Sequence, residues 1–174
     1  MSKHHFTLGY PNHESPKTIV IMGVARGGTS LVAGTARELG INLGARLGEN
    51  HEDPQFLTKD LDKLREVIAD RNANFDTWGW KMPHSIDYIG KLQHDLRNPH
   101  FIFVWRNTLA AAISQTKHSD ANIYEGIHFA THRLMHMKEA IDQVKYPSLL
   151  INYEQATQDK DGFINTLAEF LDIE

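Results

Sequence analysis

At 174 residues, with 41% hydrophobic and 23% charged side chains, the chain is long enough for one folded domain with a true core and too short for two ordinary ones. A formal charge of −4 argues against a general nucleic-acid binder, and the absence of cysteine excludes disulfides and thiolate metal sites. The polar N-terminus carries no apolar leader and no stretch reaches the roughly 18 apolar residues of a membrane span, so the expectation is a soluble cytoplasmic protein.

In chain order, residues 1–17, with two prolines and three histidines, read as a flexible, irregular lead-in, and 18–174 as the domain. TIVIMGV (18–24) is a short apolar run of the kind that forms a strand buried on both faces, and GGTSLVAGTAREL reads as the helix after it. Residues 41–55, with glycine, proline and several acids, read as a surface loop, followed by a helix over about 56–72. WGWKM (78–82) reads as a short strand, Ser85 to Leu96 as a helix, and HFIFVW (100–105) as a clear strand. NTLAAAISQTKH begins with a helix-capping asparagine, Pro147 to Tyr153 supplies another buried strand, and a last helix covers about 161–172. Ile123, Ile127, Ala130, Leu134, Met137, Ile141 and Val144 recur at steps of four and three, which predicts one long amphipathic helix. His128, His132 and His136 repeat at four but fall away from that apolar stripe, so they read as a solvated face and no metal site is expected. Strands alternating with helices predict a three-layer α/β fold with a mainly parallel sheet of about four to five strands.

The chemistry concentrates between the first buried strand and its helix. Gly23, Val24, Ala25, Arg26, Gly27, Gly28, Thr29 and Ser30 have the spacing of a phosphate-binding loop, with two glycines five apart. Such glycines let successive backbone N–H groups point at one anion, and the helix adds its positive end. A nucleotide kinase would put lysine where Thr29 stands, and its metal-holding aspartate would end a later strand where HFIFVW instead ends in Arg106. Both departures are understandable if the transferred group is sulfuryl, which carries less charge than a terminal phosphoryl and can be handled by Arg26, loop amides and hydroxyls without a divalent ion.

With these residues the chain resembles the sulfotransferase family, whose donor is 3′-phosphoadenosine 5′-phosphosulfate (PAPS) and whose fold is P-loop-like. VARGGTS is similar to the family's 5′-phosphosulfate loop, with Arg26 on its basic position. FIFVWRNTLAAAIS resembles the 3′-phosphate element, in which Arg106 is followed eight residues later by Ser114; Asn107-Thr108 replaces the common Asp-Pro. LLINYEQATQDKDGFINTLAEFLDIE is similar to the Tyr-Glu-Asp segment and final helix, which makes Tyr153 an adenine contact. WGWKMP is similar to a tryptophan, lysine and proline segment of bacterial members, which turns Lys81 toward the sulfate or acceptor. The resemblance covers roughly 18–174. The sequence stops straight after the Tyr-Glu element, without the basic, glycine-containing segment that closes over the nucleotide in cytosolic members, so the pocket is expected to be more open or covered by something else.

The resemblance implies a PAPS-dependent transfer to a hydroxyl or amine, with adenosine 3′,5′-bisphosphate (PAP) as product and no metal. The acceptor proton needs a base, and the region after the first helix offers Glu52, then His51, with Asp53 and Asp60 nearby. The implied catalytic set is Glu52, His51, Arg26 and Lys81. The implied PAPS site is Gly23, Ala25, Arg26, Gly27, Gly28, Thr29, Ser30, Arg106, Ser114 and Tyr153. His84, close to Lys81, falls beside the acceptor side. Expected partners are a small-molecule or saccharide acceptor and a second copy of the chain as a homo-oligomer, with no nucleic acid. Two other classes stay open: a P-loop kinase with a degraded loop, and a nucleotide-binding module without turnover.

Overall fold

A computed structural model, which describes residues 5–173, builds the sheet from its most apolar runs. Lys17–Gly23 (β2) is buried at every position, and its side chains divide by the two-residue period of a strand. Val20 and Met22 pack on one face; Ile19 and Ile21 pack on the other. Pro99–Trp105 (β4) does the same with Phe101 and Phe103 against Ile102 and Val104. Both faces therefore need covering, which is why helices flank the sheet on either side.

The strand order is β1-β5-β4-β2-β3, with His5–Leu8 as β1, Thr77–Lys81 as β3 and Ser148–Asn152 as β5. β2 pairs in parallel with β3 and β4, and β4 in parallel with β5. Thr29–Glu38 (α1) and Lys160–Leu171 (α7) cover one face through Val32, Ala33, Phe163 and Leu167. Leu61–Asn74 (α2) and Ile123–Gln143 (α5) cover the other through Leu64, Ile68, Met137 and Ala140. Phe56, on the turn before α2, stacks on Trp80 at 4.4 Å, and Trp80 lies against Trp78 at 5.7 Å. This α/β architecture matches the expected class.

Two expectations are corrected. Residues 5–8 are not part of an irregular lead-in: His5–Leu8 (β1) pairs antiparallel with β5, and so covers backbone groups that an edge strand would otherwise leave unpaired. Ser85 to Leu96 is not one helix. It is a 3₁₀ turn over Pro83–Asp87, a single α-turn Ile89–Leu92 (α3) and a second 3₁₀ turn, because the buried Ser85 hydroxyl is committed to Trp80 Nε1 at 3.0 Å and Tyr88 Oη at 3.1 Å, and Tyr88 leaves helical geometry at φ −139°. The last helix falls where expected, at Lys160–Leu171, and a short helix not read from the sequence, Tyr153–Gln158 (α6), precedes it; Asn152 and Asp159 supply their respective caps. Thr108–Thr116 (α4) has the predicted Asn107 cap, whose side chain accepts from the Ala110 N–H.

Among the described residues no helix is long and apolar enough to cross a membrane, and no group of three or more His, Asp or Glu side chains is arranged to hold a metal ion.

Candidate active site

Every parallel strand delivers a polar or aromatic residue of interest from its C-terminal end: the loop 23–30 after β2, Lys81 at the end of β3, Arg106 after β4 and Tyr153 after β5. In an open α/β sheet that edge, at the point where strand order reverses around β2, is where ligands bind.

The loop is shaped by two backbone demands. Gly28 adopts φ +91°, and a Cβ there would lie 2.0 Å from Cδ2 of the Tyr153 ring, so only glycine lets the loop and the ring meet. Arg26 also holds a left-handed φ of 61°, a conformation costing a non-glycine residue on the order of 1 kcal/mol. It is held there by Gly27 N–H donating to Val24 O at 2.8 Å and by Arg106 Nη1 donating to Arg26 O at 2.6 Å. α1 then starts without a side-chain cap and without an acid in its first turn, whereas α2 and α4 through α7 are each capped by Asp or Asn. The free N–H groups and positive end of α1 are therefore left to face an anion. Thr29 is buried beneath the loop; Ser30 sits at its rim, and Ala25 lines the adjoining cleft.

Arg26 and the 106/114 pair, 80 or more positions apart in the chain, meet directly. Arg26 Nε donates to Ser114 Oγ at 3.2 Å, and its Nη2 reaches His118 Nε2 at 3.0 Å. His118 in turn lies 2.9 Å from Ser114 O through Nδ1, a contact that fixes Nδ1 as the protonated nitrogen and leaves Nε2 to accept from Arg26. Arg106 stacks over Tyr153 with its guanidinium carbon 4.8 Å from the ring centre. Glu154 anchors the same corner, accepting from the Asn107 N–H at 3.1 Å. Arg106 Nε lies 3.8 Å from Glu154 Oε1, within ion-pair range, but it is buried and makes no hydrogen bond. A buried guanidinium N–H with no hydrogen-bond acceptor, beside a serine hydroxyl and uncapped amides, is a donor set suited to anionic oxygens.

Lys81 closes the other side. Its ammonium, 2% exposed, donates to Glu52 Oε1 at 2.7 Å, Asn50 O at 3.0 Å and Ser30 Oγ at 3.4 Å. Burial pulls the Lys81 pKa below its ordinary value, and the Glu52 carboxylate works against that fall. Glu52 is held in turn by its neighbour: Asp53, buried, pairs with Arg71 of α2 at 2.6 Å, and Arg71 also donates to Gln55 Oε1 at 2.8 Å. The segment 41–55 is the expected surface loop, exposed at 45–46, 48–50 and 54–55, and it is tied down by this pair and by the buried Ile41 and Leu43. Replacing Arg71 by Ala strands the Asp53 carboxylate, and a loss of about 3 to 5 kcal/mol of stability is expected in chemical denaturation.

His51, the alternative base, points elsewhere. Its Nδ1 lies 3.0 Å from Arg37 Nη1, its ring packs at Gly34 of α1, and its pKa is pushed down by burial and then by Arg37 and Lys81. Glu52, by contrast, lines a cleft of ≈ 390 Å³ together with Ala25, Met82, His84, Phe129 and Arg133, while His51 does not. Asp60 is the cap of α2, accepting from the Asp62 and Lys63 N–H groups. Sequence reasoning did not find His118, Glu154 as an anchor of Arg106, or the Asp53–Arg71 tie. The glutamate beside Tyr153 was visible as part of a motif, but neither His118 nor Arg71 stands out by spacing.

The sulfotransferase family model matches residues 35–174, starting within α1 just beyond the loop. No curated protein matches. Among solved structures, the sulfotransferase domain from the Synechococcus PCC 7002 olefin synthase is similar over 94% of this chain and 76% of that one, at a TM-score of 0.51 and 16% identity, which is a likeness of fold.

Proposed function

This chain belongs to the sulfotransferase family, and we propose that within it the protein moves a sulfuryl group from PAPS to a hydroxyl or amine of a small-molecule or saccharide acceptor, releasing PAP. The observation that carries the reading is the meeting of Arg26 with Ser114 at 3.2 Å and with Arg106, through its backbone carbonyl, at 2.6 Å. Loop and strand-end cations thus form one continuous donor surface, with the Tyr153 ring against it. The residues fit an adenylate with two anionic groups: uncapped loop amides for one, the Arg106 N–H and the Ser114 hydroxyl for the other, and an aromatic face for a base.

PAPS, when bound, supplies an electrophilic sulfuryl group on a phosphate leaving group. The chain's own groups do the rest. Glu52 takes the proton from the acceptor hydroxyl as its oxygen bonds to sulfur, and the S–O bond to the 5′-phosphate breaks with the electron pair leaving on the phosphate oxygen. Arg26 and the loop N–H groups meet the charge that develops there, and Lys81 holds Glu52 toward the cleft while donating to Ser30. Arg106 and Ser114 bind the 3′-phosphate, which orients the donor without touching the reacting atoms.

Thermal denaturation tests the donor. PAP at 100 times its dissociation constant is expected to stabilise the fold by about 2.7 kcal/mol, and ATP with magnesium to do less. Stabilisation by ATP with magnesium alone would replace this reading by a phosphoryl-transfer one.

A further inference from the structure

The cleft beside Glu52 has a composition of its own. Leu57, Met82, Pro83 and Phe129 give it an apolar lining, and at ≈ 390 Å³ it suits a small organic molecule. Its charged wall, built from the 83–87 turn, Lys59 and α5, is unbalanced. Asp87 is the acid at the centre of that wall, and both of its oxygens are taken: Oδ2 by Lys59 Nζ at 2.9 Å, Oδ1 by Arg133 Nη1 at 2.6 Å, with His136 Nδ1 at 3.3 Å from Oδ1. Across the cleft Glu52 is already paired with Lys81 at 2.7 Å, so on the Asp87 wall two permanent cations, Lys59 and Arg133, face one carboxylate. The Arg133 side chain is only 13% exposed, so its charge is poorly screened by water.

A second observation concerns a residue of the same cleft. His84 lines it, and His84 Nε2 is buried without any hydrogen-bond partner. Burial lowers the His84 pKa, so the ring is neutral near pH 7 and able to pair with an uncharged hydroxyl or with an anion's oxygen. A buried, unpaired imidazole nitrogen in an apolar cleft is costly unless a ligand satisfies it.

We infer that the acceptor is a hydroxylated apolar compound bearing one carboxylate, with the hydroxyl presented to Glu52 and the carboxylate received by Arg133 and Lys59. An aromatic or short aliphatic body fits against Phe129, Leu57 and Met82, and His84 pairs with a polar atom of the same molecule. This rests on the sulfotransferase reading only in calling the ligand an acceptor; the binding preference itself is a property of the cleft.

The test is calorimetric titration of the full chain, saturated with PAP, with two probes that share a body: 4-hydroxyphenylpropionate and neutral 4-propylphenol. The carboxylate is expected to bind at least about tenfold more tightly. Lys59→Met and Arg133→Met should each reduce that preference toward unity without weakening the neutral probe, and Phe129→Ala should weaken both. Because Arg133 is partly buried, the mostly exposed Lys59 supplies the variant whose folding is not at issue. Equal or tighter binding of 4-propylphenol, no binding of either probe, or a preference untouched in both variants overturns the inference. A normal PAP shift alongside any of these results leaves the donor reading standing; loss of the PAP shift in the wild-type chain counts against that reading instead.

Discussion

Arg106→Glu is expected to abolish the stabilisation by PAP, turning a shift of about 2.7 kcal/mol at 100 times the wild-type dissociation constant into none. The size follows from what the guanidinium does at once. It holds the loop by donating to Arg26 O at 2.6 Å, it lies 4.8 Å from the centre of the Tyr153 ring, and its buried Nε carries a proton with no hydrogen-bond acceptor. A carboxylate there would remove the donors, repel the 3′-phosphate of the proposed donor and come up against Glu154, whose carboxylate sits 3.8 Å from Arg106 Nε. Arg106→Lys separates charge from geometry. It keeps the cation but cannot both reach the loop carbonyl and offer a second fixed N–H, so it should retain only part of the shift. Arg26→Glu is expected to remove the shift as well, because Arg26 lies between the loop and Ser114. A full PAP shift in both reversals would move the donor site away from residues 26–30 and 106/114. The measurement is the melting temperature with and without PAP at matched salt.

The parts of the proposed donor site stand out in the sequence because each is local. A loop between strand and helix must be glycine-rich to curl, and an arginine straight after an apolar run must stand at a strand end, so residues 23–30 and Arg106 announce themselves by position. What joins them is not local. That Gly28 has to be glycine because of Tyr153, and that Arg26 reaches Ser114, follow from the order β5-β4-β2, which period and propensity do not encode. The missed edge strand has a similar cause. HFTL is too short to show alternation, and it becomes a strand only because β5 offers a free edge. The turn after β3 failed for a packing reason: helical propensity over 85–96 is outweighed by buried hydrogen bonds from Ser85 to Trp80 and Tyr88. The segment 41–55 is the surface loop that its polarity suggests, but what ties it down is not local: one of its acids is paired with a buried arginine 18 positions away.

That anchoring bears on the largest catalytic effect expected. Glu52→Gln should cut turnover at least about a hundredfold while leaving the PAP shift intact, since the amide matches the carboxylate in shape but cannot take a proton. Glu52 also partners a buried ammonium, so a fall in rate alone would be ambiguous: Lys81 donates to it at 2.7 Å from a site that is 2% exposed. The amide oxygen of Gln can still accept from Lys81, which preserves the neighbouring bonds to Asn50 O and Ser30. Asp53 and Arg71 keep the segment in place independently of Glu52. Lys81→Met resolves the two roles. If Lys81 only orients Glu52, that variant should lose less activity than Glu52→Gln, and the double variant should be no slower than Glu52→Gln alone, because two groups acting through one step do not add. If the losses multiply instead, Lys81 acts on the reacting atoms in its own right. Unchanged turnover in Glu52→Gln would take the proton-accepting role from this residue altogether; with His51 bonded to Arg37 and turned onto α1, and Asp87 held by Lys59 and Arg133, His84 is then the cleft-lining group left to test as the base.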